Sequence, residues 1–333
     1  MISSFLQQLY AGCRQAGMAE GAVLIGLSGG PDSVALIRGL MNLREEYSIE
    51  IHAAHLNHQL RGEESDQDAD WVKQFCEQNK IPLTLKSLPV AEYAREKRLG
   101  IEEAARRVRY EFLNETASEL ECRQIGLAHH ADDQVETVLH HFLRGTGLRG
   151  LAGMKMRRQL NEKLVLVRPM LGIRRADIVA ALKEWGQVCL QDSTNSETHY
   201  TRNRLRLELL PKLEQDYNKQ VTEAILSLSR QARESQELMQ HDADQLLDQA
   251  LAEQCETFCR ISKLSLQGKP RHLIREAFVQ LWRRQNWARQ QMNFTQWDRL
   301  AGIALGEAEG GTFPGPVEVR RVRKELHLTC SGN

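Results

Sequence analysis

"GLSGGPDS", residues 26–33, stands between the apolar run "AVLI" (22–25) and the helix-period stretch "VALIRGL" (34–40). Three readings compete for this strand, turn and helix. The string satisfies G-x-S-x-G, which would make Ser28 a hydrolase nucleophile on a strained elbow. Yet Ser28 follows the first strand of the chain, so no earlier strand supplies oxyanion-hole amides, and His241, His272 and His327 lie far downstream. A Walker A loop fails as well, because no Lys-Ser/Thr pair follows the glycines. What remains is an anion cradle. Gly29 and Gly30 permit a tight turn with amides pointing inward. Pro31 suits the first helical position, and the helix start offers unpaired N–H groups and a positive dipole end. Ser28 and Ser33 add hydroxyl donors. Asp32 is the odd member, since a carboxylate repels phosphate unless a Mg²⁺ ion lies between them.

The rest of the chain frames this loop. Its 333 residues suggest two domains, and 41% hydrophobic with 26% charged residues is enough to build a core. Strand-like runs "AVLIGL", "IEIHAAHL", "IPLTLKSL", "RQIGLAHH" and "KLVLVRP" alternate with helical patterns at 32–46, 64–80, 101–120, 132–144 and 174–185. That alternation predicts an α/β fold with a doubly wound parallel sheet over residues 1–213. Beyond Pro211, apolar residues recur at helical spacing from Val221 to Leu247, a further helix is expected from His272 to Arg284, and the tail "GGTFPGPVEVRRVRKELHLT" reads as short strands. Residues 214–333 are therefore expected to form a second, mostly helical domain ending in short strands. Seven cysteines spread through the chain fit reduced thiols in the cytoplasm, the start "MISSFLQQLYAGCRQAG" is not a signal peptide, and no apolar run is long enough for a bilayer. "CETFC" (Cys255, Cys259) lacks the second ligand pair of a zinc site.

A second cluster, "AHHADDQVET" (128–137), follows the strand "RQIGLA", at the edge where α/β sheets bind ligands. Asp132 and Glu136 are four residues apart and share a helix face, with Asp133 adjoining. His129, Asp133 and Glu136 do not match an open zinc motif. Carboxylates for Mg²⁺ or for an incoming amine are the better reading beside a phosphate cradle. Net charge is zero, but Arg144 to Arg175 holds nine basic side chains against the single acid Glu162, whereas "GEESDQDAD" (62–70) holds five acids. The basic run, with Arg157 and Arg158 at its centre, is expected to meet nucleic-acid phosphates, the alternative being a solvated face. "RGTGLRG" contains G-x-G-x-x-G but follows a helix, so its glycines are expected to shape a flexible loop and not a dinucleotide site.

"SGGPDS" after a first strand resembles the PP-loop ATP pyrophosphatases. Four further strings, "HLNHQLRGEESDQD", "AARRVRYEFL", "VRPMLGIRRADI" and "DSTNSETHYTRNRLRLELLP", together with the extended cluster "AHHADDQVETVLHHFLRGTGLRGLAGM", make residues 22–211 similar to the bacterial tRNA(Ile)-lysidine synthases. The resemblance is weaker beyond residue 214, and the chain is shorter than members with two C-terminal domains, so one is expected to be reduced or missing. It implies a ligase whose substrates are ATP, free lysine and the tRNA(Ile) with anticodon CAU. The wobble cytosine carbonyl is adenylated with loss of pyrophosphate, and the lysine ε-amine then displaces AMP to give lysidine.

That chemistry assigns roles. The cradle (Ser28, Gly29, Gly30, Pro31, Asp32, Ser33), Asp32 with Mg²⁺, and the arginines Arg109 and Arg202 would neutralise the α-phosphate. Asp132, Asp133 and Glu136 would pair with the lysine ammonium, a carboxylate or His130 would take its proton, and His55 with Asn57 would hold adenine or ribose. Two other functions were weighed. A PP-loop tRNA thiolase needs a reactive cysteine, whereas Cys76, Cys122 and Cys189 are isolated in the α/β region; a non-catalytic nucleotide-binding regulator needs neither the acidic cluster nor the basic run. Oligomeric state leaves no mark in the sequence.

Overall fold

Val23, Leu24 and Ile25 are all buried, yet their side chains enter two different cores. A strand alternates its side chains between faces, so a run apolar at every position must be covered on both sides. The computed structural model describes residues 3–190 and 201–331. It shows how that cover is built. Helix α1 (Ser4–Gln15) leads into β1 (Gly21–Gly26), α2 (Pro31–Tyr47), β2 (Ile49–Asn57), α3 (Glu63–Gln78), β3 (Leu83–Ser87), α4 (Val90–Lys97) and α5 (Ile101–Glu119). Then follow β4 (Gln124–Gly126), α6 (Ala131–Leu143), α7 (Leu148–Leu151), β5 (Arg157–Gln159), β6 (Val165–Val167) and α8 (Arg175–Glu184). Phe5 and Leu9 of α1, Val34 and Ile37 of α2, Phe75 of α3 and Ile178 of α8 pack with Val23 and Ile25 on one face. Val90 of α4 and Val108, Phe112 and Leu113 of α5 pack with Leu24 on the other.

The sheet order is β3-β2-β1-β4-β6-β5. β1 pairs in parallel with both β2 and β4, β2 with β3, and β4 with β6, while β5 runs antiparallel to β6. The chain therefore winds outward from β1 in one direction and returns to its other side with β4. That reversal leaves a crevice beyond the carboxyl ends of β1 and β4. Both polar motifs singled out above follow those two strands.

A short helix α9 (Thr201–Arg204), a π-turn (Leu205–Leu209), α10 (Leu210–Asp216) and the long α11 (Val221–Ala250) come next. Two compact units comprise residues 1–229 and 230–333, so the division falls inside α11, later than residue 213. In the second unit β7 (Leu251–Cys255), β8 (Phe258–Ser262), α12 (Lys263–Leu266), α13 (Arg271–Arg284), α14 (Phe294–Leu305), β9 (Gly310–Phe313), β10 (Val317–Val322) and β11 (Glu325–Cys330) follow. Its antiparallel sheet has the order β7-β8-β11-β10-β9. Trp282 anchors that core, with Trp287 and Trp297 edge-on at 5.0 and 5.4 Å. "CETFC" turns out to be the β7–β8 hairpin, and all seven cysteines are free thiols. No helix among the described residues is long and apolar enough to cross a membrane.

The cradle turn depends on one backbone torsion. Gly29 has φ +86, and a Cβ there would strike the Leu190 side chain, whose own N–H donates to the Gly29 carbonyl at 3.0 Å. Gly30 has an extended φ of −71, and a Cβ there would meet only the Ser28 hydroxyl, at 3.5 Å. Gly29→Ala should therefore lower unfolding stability by about 2 kcal/mol, and Gly30→Ala by clearly less. Urea melts of the two variants measure this; equal losses would contradict it.

Candidate functional site

The loop after β1 is held by its two serines. The Ser33 hydroxyl donates to the Gly30 carbonyl at 3.0 Å and accepts the Ser28 N–H at 3.1 Å, and the two hydroxyls lie 3.1 Å apart. The Gly30 N–H reaches the Ser28 hydroxyl at 3.4 Å. Pro31 opens α2 as expected, and the first-turn amides there have no intrahelical acceptor. Asp32 points toward the second motif. Its Oδ2 lies 3.6 Å from His130 Nε2 and 3.7 Å from Arg175, and its Oδ1 is enclosed without a hydrogen-bond partner.

Helix α6 starts with a reciprocal cap. The Asp133 carboxylate accepts the His130 N–H at 3.0 Å, and His130 Nδ1 faces the Asp133 N–H at 3.4 Å. His130 is only 1% exposed. Asp132 Oδ2 lies 3.6 Å from its Nδ1, and Asp133 Oδ2 lies 3.5 Å from its Nε2. Burial opposes a charge on this ring, but Asp132, Asp32 and Asp133 overcome it and push its pKa up to about 9. The three carboxylates favour the charged ring, in which Nδ1 donates to Asp132 and can no longer accept the Asp133 N–H; the cap contact at 3.4 Å belongs to the neutral ring. A ring whose pKa is raised in this way already favours holding the proton that a base would take from lysine.

The acids do not share one partner. Asp132 accepts from Arg174 Nη2 at 3.1 Å and from the backbone N–H of Arg175, at the start of α8, at 2.8 Å. Burial alone would raise its pKa, yet His130, the Arg175 amide and Arg174 hold it well below the ordinary carboxylate range. Glu136, 2% exposed, bonds Arg206 Nε at 2.5 Å, and Asp133 stands 3.5 Å from the same guanidinium. Burial raises the Glu136 pKa against the pull of Arg206. Arg206 sits in the π-turn and meets α6 through Glu136 and Asp133. Asp133 and Glu136 therefore make the pair, three residues apart, and Asp132 faces another way.

A cavity of about 440 Å³ adjoins the cradle and includes Ser28, Asp32, Ser33, His55, His58, Arg109 and His129 in its lining. His55 donates Nδ1–H to the Leu27 carbonyl at 2.8 Å, which leaves Nε2 for an occupant. Asn57 also lines it, but both ends of its amide are spent, on Asp66 at 2.7 Å and on the Gln59 N–H at 2.9 Å. Arg109 has an enclosed Nε without a partner, and burial together with Arg106 and Arg202 lowers its pKa. Arg202 donates to Thr137 of α6 at 2.9 Å. Burial, Arg109 and His55 bring His58 down to about 4, so it is neutral.

The basic run divides. Arg174 and Arg175 turn to the acids, Arg168 is buried, and Arg157 donates to the Gly17 carbonyl at 2.8 Å. Arg144, Arg149, Lys155, Arg158 and Lys163 are exposed, and so is Arg157 despite that bond. The stretch from Gly150 to Met154, which follows the glycine-rich turn, is fastened down. Gln134 of α6 accepts the Met154 N–H at 2.7 Å and donates to Ser229 at 3.0 Å and to the Ala152 carbonyl at 3.1 Å, while His141 Nδ1 donates to the Gly150 carbonyl at 2.9 Å. Gly145 and Gly147 themselves lie in an exposed stretch where a Cβ would meet nothing within 4 Å. Arg206, Arg174 and Arg175 are site residues that the sequence reading passed over, although "RNRLR" and "GIRRADI" contain them. The first part of the "DSTNSETHYTRN" string, through Tyr200, lies outside the described residues.

No group of three or more protein ligands among the described residues would hold a metal ion by itself. Asp32 nonetheless fits a Mg²⁺ bound mainly by phosphate oxygens, because its Oδ1 is a buried acceptor with nothing to accept.

Residues 2–213 match the model of the PP-loop domain, which makes this a PP-loop protein. A tRNA(Ile)-lysidine synthase of Rhodopirellula baltica is 34% identical over 95% of this chain and 92% of its own length. Those of Clostridioides difficile and Bacteroides thetaiotaomicron are 38% and 42% identical over 67% and 64% of the chain, each over 47% of its own length. The chain belongs to the tRNA(Ile)-lysidine synthase family. It spans about half the length of most of the curated relatives it matches. Among solved structures, a U34-tRNA thiolase from Methanococcus maripaludis shares the fold, with a TM-score of 0.57 at 16% identity over 69% of this chain and 80% of that one.

Arg206→Met would leave Glu136 buried without its counterion, a change expected to cost about 3 kcal/mol of stability at pH 7. Burial already raises the Glu136 pKa above its unfolded value, and loss of Arg206 raises it further. The folded variant then gains a proton as pH falls, so the deficit against the parent should shrink toward about pH 5. Denaturation at the two pH values checks this; a deficit independent of pH would contradict it.

Proposed function

We propose that this chain ligates free lysine to C2 of the wobble cytidine of the tRNA(Ile) with anticodon CAU, at the expense of ATP. The observation that carries this reading is the meeting of the anion cradle after β1 with the acidic N-terminus of α6 at the sheet's switch point. Family membership supplies the substrate class.

The cradle would bind the ATP phosphates through Ser28, Ser33 and the first amides of α2. Asp32 would hold Mg²⁺, which when bound neutralises phosphate charge and polarises the α-phosphorus. Arg109, without an ion-pair partner among the described residues, and Arg202 would take up the negative charge that develops as the cytosine carbonyl oxygen attacks. His55 would face the nucleoside. Pyrophosphate then leaves, and the lysine ammonium pairs with Asp133 and Glu136, while Asp132, held by Arg174 and the Arg175 amide, flanks them. Of these acids Glu136 has the raised pKa and is the proton acceptor we assign. The deprotonated ε-amine attacks C2 and AMP departs with the former carbonyl oxygen.

The six exposed basic residues from Arg144 to Lys163 suit tRNA backbone phosphates. Arg157 and Arg158 both belong to that surface, and Arg157 is also tied to the Gly17 turn. Residues 214–333 would contact tRNA and aid selection. The thiolase alternative needs a thiolate, and the thiols run the other way. Burial and the Asp32 charge push Cys189 up to about 11, and burial alone pushes Cys76 up to about 11.

Pyrophosphate release from Mg·ATP is the direct assay. It should require the CAU tRNA, and AMP release should require lysine in addition. Asp32→Ala should reduce the rate about 100-fold or more, because a charge-stabilising group at the reacting centre is lost. Turnover at the parent rate in that variant, or release indifferent to the tRNA, would refute the assignment.

A further inference from the structure

His129 precedes the imidazolium His130, yet its surroundings are opposite in charge. Arg168 donates Nε–H to His129 Nδ1 at 3.1 Å. An arginine has no acceptor, so Nδ1 must carry the lone pair and the ring proton must sit on Nε2. Arg168 is itself 4% exposed and is fixed by a second bond, from Nη1 to the Lys155 carbonyl at 2.8 Å. The neighbouring cations Arg109, Arg202 and Arg106 add to burial and to Arg168 in keeping the ring neutral. Nε2 has no hydrogen-bond partner among the described residues, and His129 lines the cavity beside Ser28 and Asp32.

We propose that Arg168 acts as a positioning residue that locks His129 in the Nε2–H tautomer, and that this neutral N–H is a donor to an oxygen acceptor of the nucleotide bound in the cavity. The nucleotide's identity as ATP rests on the function proposed above; the tautomer does not. A locked neutral ring suits this place. An imidazolium would add one more charge to a cluster of arginines, and a free imidazole would offer a lone pair to phosphate in half of its orientations. The device lets the site place a donor close to the nucleotide without another counterion.

Two measurements on the full chain separate the claims. ¹⁵N-histidine correlation spectra of the nucleotide-free protein, with His129 assigned by the loss of its signal in His129→Gln, should show a single Nε2–H tautomer at neutral pH. Arg168→Met should give a mixture of tautomers. ATP affinity is then compared for two amides: His129→Gln places its N–H near the Nε2 position, and His129→Asn places it near Nδ1. His129→Gln should bind within about three-fold of the parent, and His129→Asn should bind about ten-fold more weakly or worse. An Nδ1–H tautomer in the parent, or equal affinities in the two amide variants, would overturn the proposal even if ATP binds. Absence of ATP binding in the parent, with the tautomer as expected, would instead count against the proposed function.

Discussion

Asp32, Asp132 and Asp133 approach one buried imidazole, with oxygens 3.5–3.6 Å from the His130 ring nitrogens. Three carboxylates so close together would repel one another and raise one another's pKa. The imidazolium removes that conflict and joins the cradle helix α2 to the acidic helix α6 across the crevice. β1 and β4 are adjacent and parallel, so the loops that follow them open at the same edge of the sheet. The remaining positive charge comes from outside the two motifs, from Arg174 and Arg175 at the start of α8 and from Arg206 in the π-turn. The site thus consists of alternating charges drawn from four segments, each held by backbone geometry before any substrate arrives.

The charges divide in space as the chemistry requires. On one side of Asp32 lie the acids and their paired arginines, suited to an ammonium. On the other, the cavity lining carries Arg109, the paired Arg61 and Asp68, and three neutral histidines, His55, His58 and His129. A polyanionic nucleotide and a cationic amine can therefore occupy neighbouring positions, with the metal-holding carboxylate between them. This separation is more informative than the net charge of zero, in which the opposed regions cancel.

Much of this was legible from local pattern. Runs such as "AVLIGL" and "IEIHAAHL" are apolar at nearly every position, which only a doubly covered strand needs, and "SGGPDS" carries its own turn chemistry. Helix α1 was readable as well, since Phe5, Leu9 and Cys13 repeat every four residues, but that stretch was tested only as a targeting signal. What the sequence concealed is partnership across long separations. The nine basic residues looked alike as a run, and only the fold sorts Arg174 and Arg175 toward acids, Arg157 toward a backbone carbonyl and Arg158 toward solvent. Asp132 and Glu136 looked like one helical face, but α8 and the π-turn approach α6 from different directions and divide them. His130 reads as a plain histidine in the sequence, and only the fold brings Asp32 of α2 to it beside Asp132 and Asp133, which together raise its pKa.

The central claim is that the cradle and the acidic cluster serve one reaction, in which the cytosine carbonyl oxygen is activated by the α-phosphate and then replaced by an amine. Oxygen labelling tests it most directly. A CAU tRNA carrying ¹⁸O at C2 of its wobble cytidine, incubated with the chain, Mg·ATP and lysine, should yield AMP that carries the label, one atom for each lysine incorporated. AMP without the label, or label retained in a lysine-bearing tRNA, would mean that the carbonyl is not the group the site activates.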